Sequence, residues 1–433
     1  MINAEPRTRL LNQNPNVLNI AAIDNIDMKD ATFQKTPLFG ISSIMEQWQT
    51  KIDIVFDQLV SQGSNFSIEH INEAIKKNID STLFVAPPNV VILEPGEALS
   101  KDEHVHKAVD MFLEDFGYTE DGVLNLVCDE AIYRHMKDYK NEEQTVHCIL
   151  GQWHTNKAMC STIIKAFSGY GIFGLAAQLG VKFLDKLEKV ADYRATFRVL
   201  GLLWAAVGVA IHQYAKEKNI SISDIPKGNN NILKVWYIFY QWTGYLKLYK
   251  HSIRLANFDL QMHSLMAFAP VFHITRKYRY AESVSRFISE LRSDPQFLQA
   301  LRTVPLVNLT QEENCLALDE ALETLGVKFL KENMTGYATN LENLKLNMKA
   351  TQAEYDRLIL LISEFTGDSL ISRSPRSIKD RLEALWKLIN ELKSAFNSQE
   401  PESHPLFADT TQLTEKGYQR MFACYELGIK KNE

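Results

Sequence analysis

The pattern from which the architecture can be inferred lies in residues 122–155, GVLNLVCDEAIYRHMKDYKNEEQTVHCILGQWHT. Two short apolar, β-favouring runs, at 123–128 and 145–150, enclose one helical stretch. Strand, helix and strand in so few residues form a right-handed parallel crossover, so both strands end at the same edge of a sheet. Asp129 follows the first strand and His154 follows the second. We therefore expect both side chains at that edge, where ligands bind in open parallel sheets.

Further acidic positions extend this pattern. An apolar run at 17–23 ends at Asp24, just as the later run ends at Asp129, and Asp319 and Glu323 share one face of a late helix. Carboxylates at a sheet edge can hold divalent metal ions that promote attack of an oxygen nucleophile on a phosphodiester. Mg²⁺ prefers hard oxygen ligands of this kind. The alternative is that acids after strands only cap helices or form turns.

Composition limits the classes of protein to consider. The chain has 433 residues, of which 45% are hydrophobic and 23% charged, as in soluble globular proteins of two or three domains. Its net charge of −6 gives no general attraction to nucleic acid, so any such role needs a local basic surface. Five scattered cysteines without a C-x-x-C pair, and a start without an apolar signal core, indicate an intracellular, reducing compartment. P-loop, nucleophile-elbow and zincin motifs are absent from the sequence.

A long helical block separates the strands from the late acidic helix. Helical periodicity runs from 157 to about 292, and its most apolar stretch, 199–211, is shorter than the roughly 20 residues that span a bilayer. We expect this stretch to be a buried core helix and expect no membrane association.

A basic and aromatic cluster lies near the end of this block, in FHITRKYRY at 272–280. Its residues Arg276, Lys277, Tyr278 and Arg279 suit phosphate contacts and base stacking. The alternative is a solvated helix face whose tyrosines reach into the core. His154 likewise has three candidate roles, which are to bind a phosphate, to orient a catalytic acid, or to satisfy a backbone carbonyl.

Several short motifs in order resemble those of an uncharacterised, mobile-element-associated domain family of fungal and invertebrate genomes. They are IDNID at 23–27, the strand end at Asp129, LGQWHT at 150–155, FDL at 258–260 with Leu265, Met266 and Pro270, YRY at 278–280, and DEALE at 319–323. The resemblance covers roughly residues 15–335. Gln152 stands where that family commonly has Asp, Lys277 where Asn is usual, and Val127-Cys128 where Gly is common.

The layout is also similar to the ribonuclease-H-like core of hAT-type transposases. That similarity implies Asp24 as first acid, Asp129 as second, His154 as the accompanying histidine and Glu323 as third, with Asp319 its rival. It implies Asp24, Asp129 and Glu323 as ligands of Mg²⁺ or Mn²⁺. The similarity rests on fold-level analogy.

These patterns predict a mostly helical α/β protein with a ribonuclease-H-like mixed sheet, a large helical insertion and a helical C-terminal extension. The expected boundaries are 15–156 for the first part of the core, 157–310 for the insertion, 311–340 for the late acidic helix and 341–433 for the extension. The expected function is metal-dependent DNA strand cleavage or transfer by a transposon-derived domain, either active or degenerate. The alternative is a non-catalytic, domesticated scaffold that binds DNA or protein partners. DNA and a homo-oligomeric second copy are the expected partners, and a transposase-like role implies a nuclear location.

Overall fold

The structure is a computed structural model, and only part of the chain is described below. The described residues are 20–23, 43–63, 66–80, 101–117, 123–142, 146–303, 306–307, 315–323, 375–400, 403–408, 410 and 412–432.

Most of the described residues are helical. The helices are α1 (Ser43–Gln62), α2 (Ile68–Lys76), α3 (Asp102–Phe116), α4 (Glu130–Glu142), α5 (Gln152–Phe167), α6 (Ile172–Gln178), α7 (Leu184–Glu188), α8 (Tyr193–Lys218), α9 (Asn231–Arg254), α10 (Phe258–Ile274), α11 (Tyr278–Ser293), α12 (Pro295–Thr303), α13 (Leu318–Leu322), α14 (Pro375–Asn397) and α15 (Glu415–Asn432). Short 3-10 turns lie at Ser168–Tyr170, Ile222–Lys227 and Pro405–Phe407.

Three strands form a small parallel sheet in the order β1 (Ile20–Ile23), β2 (Leu124–Cys128) and β3 (Val146–Leu150). Cys128 pairs with Ile23 on one side and with Leu150 on the other, so the three strands end level with one another. The predicted crossover from β2 through α4 to β3 is therefore confirmed. All described strands are parallel, so the antiparallel member of the expected mixed sheet is not among the described residues.

The helical block from α5 to α12 surrounds two long, buried helices. Helix α8 carries the apolar stretch at 199–211, and it packs along α9. Rings from both helices and from α1 meet in the core, where Phe56 stands edge-on to Trp204 at 5.1 Å and to Tyr240 at 5.4 Å. By length and composition α8 could cross a bilayer, but 78% of its most apolar window is buried inside the protein. It is the core helix that the sequence predicted.

Helices α14 and α15 pack on the helical block and share its core. Helix α14 buries Leu388, Ile389 and Leu392 against α8, and α15 lies along α10. The ring of Tyr425 in α15 also lies 5.1 Å from that of Trp242 in α9. The close approach of α15 to α10 needs a glycine, because a Cβ at Gly428 would lie 2.6 Å from the carbonyl oxygen of Pro270.

Helix α13 brings the chain back to the sheet. The segment before it forms one antiparallel bridge between Val307 and Leu316. The helix then packs against β1, β2 and α5. The late acidic helix therefore reaches the edge at which the strands end, as the sequence predicted.

Candidate functional site at the carboxyl edge of the sheet

Asp129 lies at the carboxyl end of β2 and also begins α4. Its Oδ1 accepts a hydrogen bond from the backbone N–H of Ile132 at 2.8 Å, and the Asp129 side chain stays partly exposed. A carboxylate in this position satisfies a free amide in the first turn of a helix. Asp129 is thus at the predicted edge, and it performs the capping role that was the alternative to metal binding.

The start of α5 receives its cap from a distant part of the chain. Gly151, the residue before the helix, has no side chain to offer. Asp319 of α13 takes that role, because its Oδ1 accepts from the N–H of Trp153 and its Oδ2 from the N–H of His154, both at 2.9 Å. The Asp319 side chain is buried, and a carboxylate at a helix N-terminus also gains from the helix dipole.

The absence of a side chain at Gly151 allows this approach. A Cβ there would lie 2.6 Å from Oδ2 of Asp319 and 2.9 Å from the carbonyl oxygen of Cys128. Cys128 is the last residue of β2, and it also accepts a hydrogen bond from the N–H of Gly151 at 2.7 Å. The junction of β3 and α5 is therefore packed directly against the end of β2 and against Asp319.

His154 lies beside Asp319, in accordance with the predicted histidine at this edge. Its Nδ1 is 3.1 Å from Oδ2 of Asp319, and 19% of its side chain is exposed. The ring stands edge-on to Trp153 at 4.7 Å. Among the three roles considered from the sequence, this contact corresponds to the orientation of an acid.

The side-chain amide of Gln152 is hydrogen-bonded through both its nitrogen and its oxygen. Its Nε2 donates to Oε1 of Gln261 at 3.0 Å, and its Oε1 accepts from the N–H of Leu318 at 3.3 Å. A buried amide can both donate and accept, whereas a carboxylate only accepts. Gln152 therefore links α5 to α10 and to α13.

The basic and aromatic cluster is divided between surface and interior. Arg276 is exposed in the left-handed region at φ 60°, between α10 and α11. Lys277 is partly buried, and its Nζ donates to the carbonyl oxygen of Ala158 at 3.3 Å. Burial and the neighbouring Lys165 lower the pKa of Lys277 to about 8. The cluster therefore combines an exposed cation, Arg276, with a lysine that packs against α5.

Helix α11 crosses the same sheet edge through contacts that the sequence analysis missed. Ser283 donates to Oε1 of the buried Glu130 at 3.1 Å, and Arg134 contacts the same oxygen at 3.0 Å. Burial raises the pKa of Glu130, while Arg134 and Ser283 oppose that shift. The two acids after β2 therefore have different surroundings. The Asp129 side chain lies at the sheet edge, whereas the Glu130 side chain is buried against α11.

The neighbouring acids of α13 also face different partners. Asp319 caps α5, whereas Glu320 is buried and bonded to Lys250 at 3.0 Å and to Arg254 at 3.1 Å. Burial alone would raise the pKa of Glu320, but Arg254 and Lys250 lower it to about 2. Glu320 therefore fastens α13 to α9 as a structural anion, and it leaves Asp319 at the sheet edge.

The remaining predicted acids are placed only in part. Asp24 lies outside the described residues, although Ile23 before it pairs with Cys128 before Asp129. Glu323 directly follows α13 and is partly exposed. Among the residues that the structure describes, no group of three or more His, Cys, Asp or Glu side chains could hold a metal ion.

Comparison of the chain with protein-family models, with curated proteins and with solved structures gives no match. The resemblance to the mobile-element-associated family stays a prediction.

Proposed function

We propose that this chain is a transposon-derived domain with a ribonuclease-H-like core that cleaves or joins DNA strands at the carboxyl edge of its sheet. The observation that supports the proposal is the level ending of the three parallel strands, with Asp129 and the His154–Asp319 pair at that edge. In open sheets of parallel strands this edge is the usual place for a ligand.

An exposed basic side chain next to α11 suits contact with a DNA strand. Arg276 is exposed on the loop before α11, whereas the neighbouring Lys277 donates to a backbone carbonyl of α5. Cations of this kind neutralise phosphates and fix the register of a strand. The net charge of −6 is compatible with this role, because the positive charge is local.

A metal ion is part of this proposal. The edge offers carboxylate oxygens of Asp129 and Asp319, which are donors of the type that Mg²⁺ and Mn²⁺ accept. In the proposed set Asp24, Asp129 and Glu323, with Asp319 as the rival of Glu323, would hold the ion. A bound ion would supply charge stabilisation at the phosphodiester.

A cleavage assay tests the proposal directly. Wild type and Asp129→Asn are incubated with supercoiled plasmid in Mg²⁺, in Mn²⁺ and in EDTA. Asparagine keeps an oxygen that can cap α4, so the fold is retained. We expect Asp129→Asn to lose about a hundredfold or more in nicking rate, the scale on which single electrostatic groups act in catalysis.

Asp185→Asn, in the short helix α7, provides the matched control. Its activity should equal that of wild type, since α7 contacts α5 and α6 rather than the sheet. Equal activity of Asp129→Asn and wild type, or no activity in either, contradicts a catalytic role for this edge.

The second candidate function is a non-catalytic scaffold that binds DNA through the same edge. Two of the proposed carboxylates are already engaged as helix caps, Asp129 on α4 and Asp319 on α5, which favours this alternative. It predicts DNA binding in EDTA that depends on Arg276, without strand cleavage in any metal. Fluorescence anisotropy with a labelled duplex, comparing wild type with Arg276→Gln, distinguishes the two candidates.

A further inference from the structure

The start of α11 is fixed to two other helices. Lys277 directly precedes α11, and Tyr280 and Ser283 follow it at three-residue spacing in the first two turns. Lys277 donates to Ala158 of α5 at 3.3 Å, and Ser283 donates to Glu130 of α4 at 3.1 Å. Tyr280 lies between these two contacts, within electrostatic range of Asp129 and Asp319 at the carboxyl edge of the sheet.

The ring of Tyr280 is held in place while its hydroxyl remains available. Phe272 of α10 stacks on the ring at 5.5 Å with an angle of 27° between the planes. The Lys277 ammonium lies 5.9 Å from the ring centroid. Tyr280 is partly exposed, and no residue in the described part of the chain accepts or donates a hydrogen bond at its hydroxyl.

The hydroxyl of a tyrosine carries its proton at physiological pH, so the phenol is a neutral hydrogen-bond donor. A neutral donor can approach a phosphate oxygen, whereas the carboxylates at this edge would repel one unless a cation lies between them.

We propose that the Tyr280 hydroxyl donates a hydrogen bond to a phosphate oxygen of a DNA strand lying along the carboxyl edge of the sheet. The inference rests on the proposed function, and it names the backbone phosphate as the group recognised at this point of the edge. Tyr280 is then a residue that contacts the substrate, and the Phe272 ring orients it.

The test is Tyr280→Phe, which removes the hydroxyl and keeps the stacked ring. Binding of a fluorescent duplex is measured by anisotropy over a range of salt concentrations. We expect about tenfold weaker binding, the scale of one hydrogen bond to a charged group. The slope of log affinity against log salt should not change, because no cation is removed.

Two further variants make the readout specific. Arg276→Gln removes an exposed cation, so it should reduce the salt slope by about one contact. Tyr133→Phe removes another phenol beside α11, which donates to Glu290 at 3.1 Å away from the strand ends, and it should leave affinity unchanged. Urea midpoints of all variants separate a loss of binding from a loss of packing.

Each outcome supports or overturns the inference. Weaker binding by Tyr280→Phe with an unchanged salt slope and urea midpoint supports it. Equal binding by Tyr280→Phe and wild type overturns it while leaving the proposed function intact. Weaker binding that comes with an equal loss of stability shows a packing effect and also overturns it. If wild type binds no DNA and cleaves none, the proposed function fails together with this inference.

Discussion

A histidine lies against aspartate in two parts of this molecule, and the two settings differ. At the sheet edge His154 contacts Asp319 at 3.1 Å, and both lie where a helix begins. In the helical block the fully buried His212 of α8 contacts Asp57 at 2.7 Å through Nδ1 and lies 3.6 Å from Asp53 through Nε2. The first pair joins a helix terminus to the strand ends, whereas the second joins neighbouring helices.

The aspartates of the two sites differ in the hydrogen bonds that they accept from groups other than the histidine. Asp319 uses both oxygens for backbone amides of α5, and it sits beside a partly exposed surface. Asp53 accepts from the hydroxyl of Tyr240 at 2.8 Å, while Phe56 stacks on His212 at 5.3 Å. A histidine and an aspartate in contact are therefore not by themselves a sign of chemistry. The pair at the sheet edge differs from the cluster at His212 in lying at the carboxyl ends of parallel strands, where ligands usually bind.

The largest expected effect is that of breaking the buried cluster. His212→Ala removes a ring that bridges α1 and α8, and it leaves Asp53 and Asp57 without the imidazole that both contact. We expect a loss of about 3 kcal/mol in the free energy of unfolding, measured with urea. Asp57→Asn is the matched control and should cost less than about 1 kcal/mol, because 65% of the Asp57 side chain is exposed. Equal losses for the two variants would contradict the asymmetry described here.

A smaller loss should follow removal of the distant cap. Asp319→Ala leaves the amides of Trp153 and His154 without their acceptor, at a cost of about 2 kcal/mol in unfolding free energy. Asp319→Asn keeps one acceptor oxygen and should cost about half as much. Hydrogen exchange at the first turn of α5 should rise in step with these losses. Glu323→Ala, one turn later, is the control, and a loss equal to that of Asp319→Ala would refute the capping role.

The next effect concerns the space that Gly151 provides. Gly151→Ala introduces a Cβ that must displace Asp319 or the end of β2, so we expect a loss of about 1–2 kcal/mol in unfolding free energy. Gly174→Ala, in α6, is the contrast, since its nearest neighbour would be 3.9 Å away. Alanine favours helix there and should leave stability equal or slightly higher. Equal losses of stability for Gly151→Ala and Gly174→Ala would show that the junction of β3 and α5 does not require a glycine.

The smallest expected effect is the pH dependence of the cluster formed by His212, Asp53 and Asp57. Burial lowers the pKa of His212, but hydrogen bonds to Asp53 and Asp57 outweigh it and raise the pKa above 6.5. Its stabilisation is thus fully present below pH 6.5 and is lost as the pH rises through the folded value. The hydrogen bond to His212 lowers the pKa of Asp57 below 3.8, although burial opposes it, so that contribution is present above pH 3.8 and is lost on further acidification.

The stability difference between wild type and His212→Ala should therefore be greatest between these two ordinary pKa values. Urea midpoints over a pH series measure it. His251, whose pKa is lowered by burial and by nearby cations, acts in the opposite sense on acidification and cancels in the difference. A difference that does not vary with pH would show that His212 is neutral in the folded protein.

The sequence was sufficient to predict the sheet edge, because its determinants are local. Two β-favouring runs around one helix make the crossover, and the residue after each run must lie at the strand end. Asp129 and His154 follow from that rule. The position of Asp319 near them came from a resemblance, and the structure brings His154 and Asp319 into contact.

What could not be predicted depends on pairs that are far apart in sequence. Asp319 and the amide of His154 are 165 positions apart, and Asp57 and His212 are 155 apart, so no periodicity marks either pair. At 272–280 composition alone did not show the break between helices at Arg276, which exposes that cation while Lys277 packs against α5. The one local signal for the α5 cap is a glycine at the junction of a strand and a helix, and many junctions have one.

The remote cap of α5 also bears on biosynthesis. A ribosome completes β3 and α5 long before it reaches Asp319, so the nascent chain carries an uncapped helix start and an unfinished core. Incomplete chains of this kind expose apolar surface and attract chaperones. We expect nascent chains stalled before residue 319 to be cut readily by proteases near 151–155, and longer ones to resist. The part of the molecule for which we propose chemistry is thus assembled late in translation.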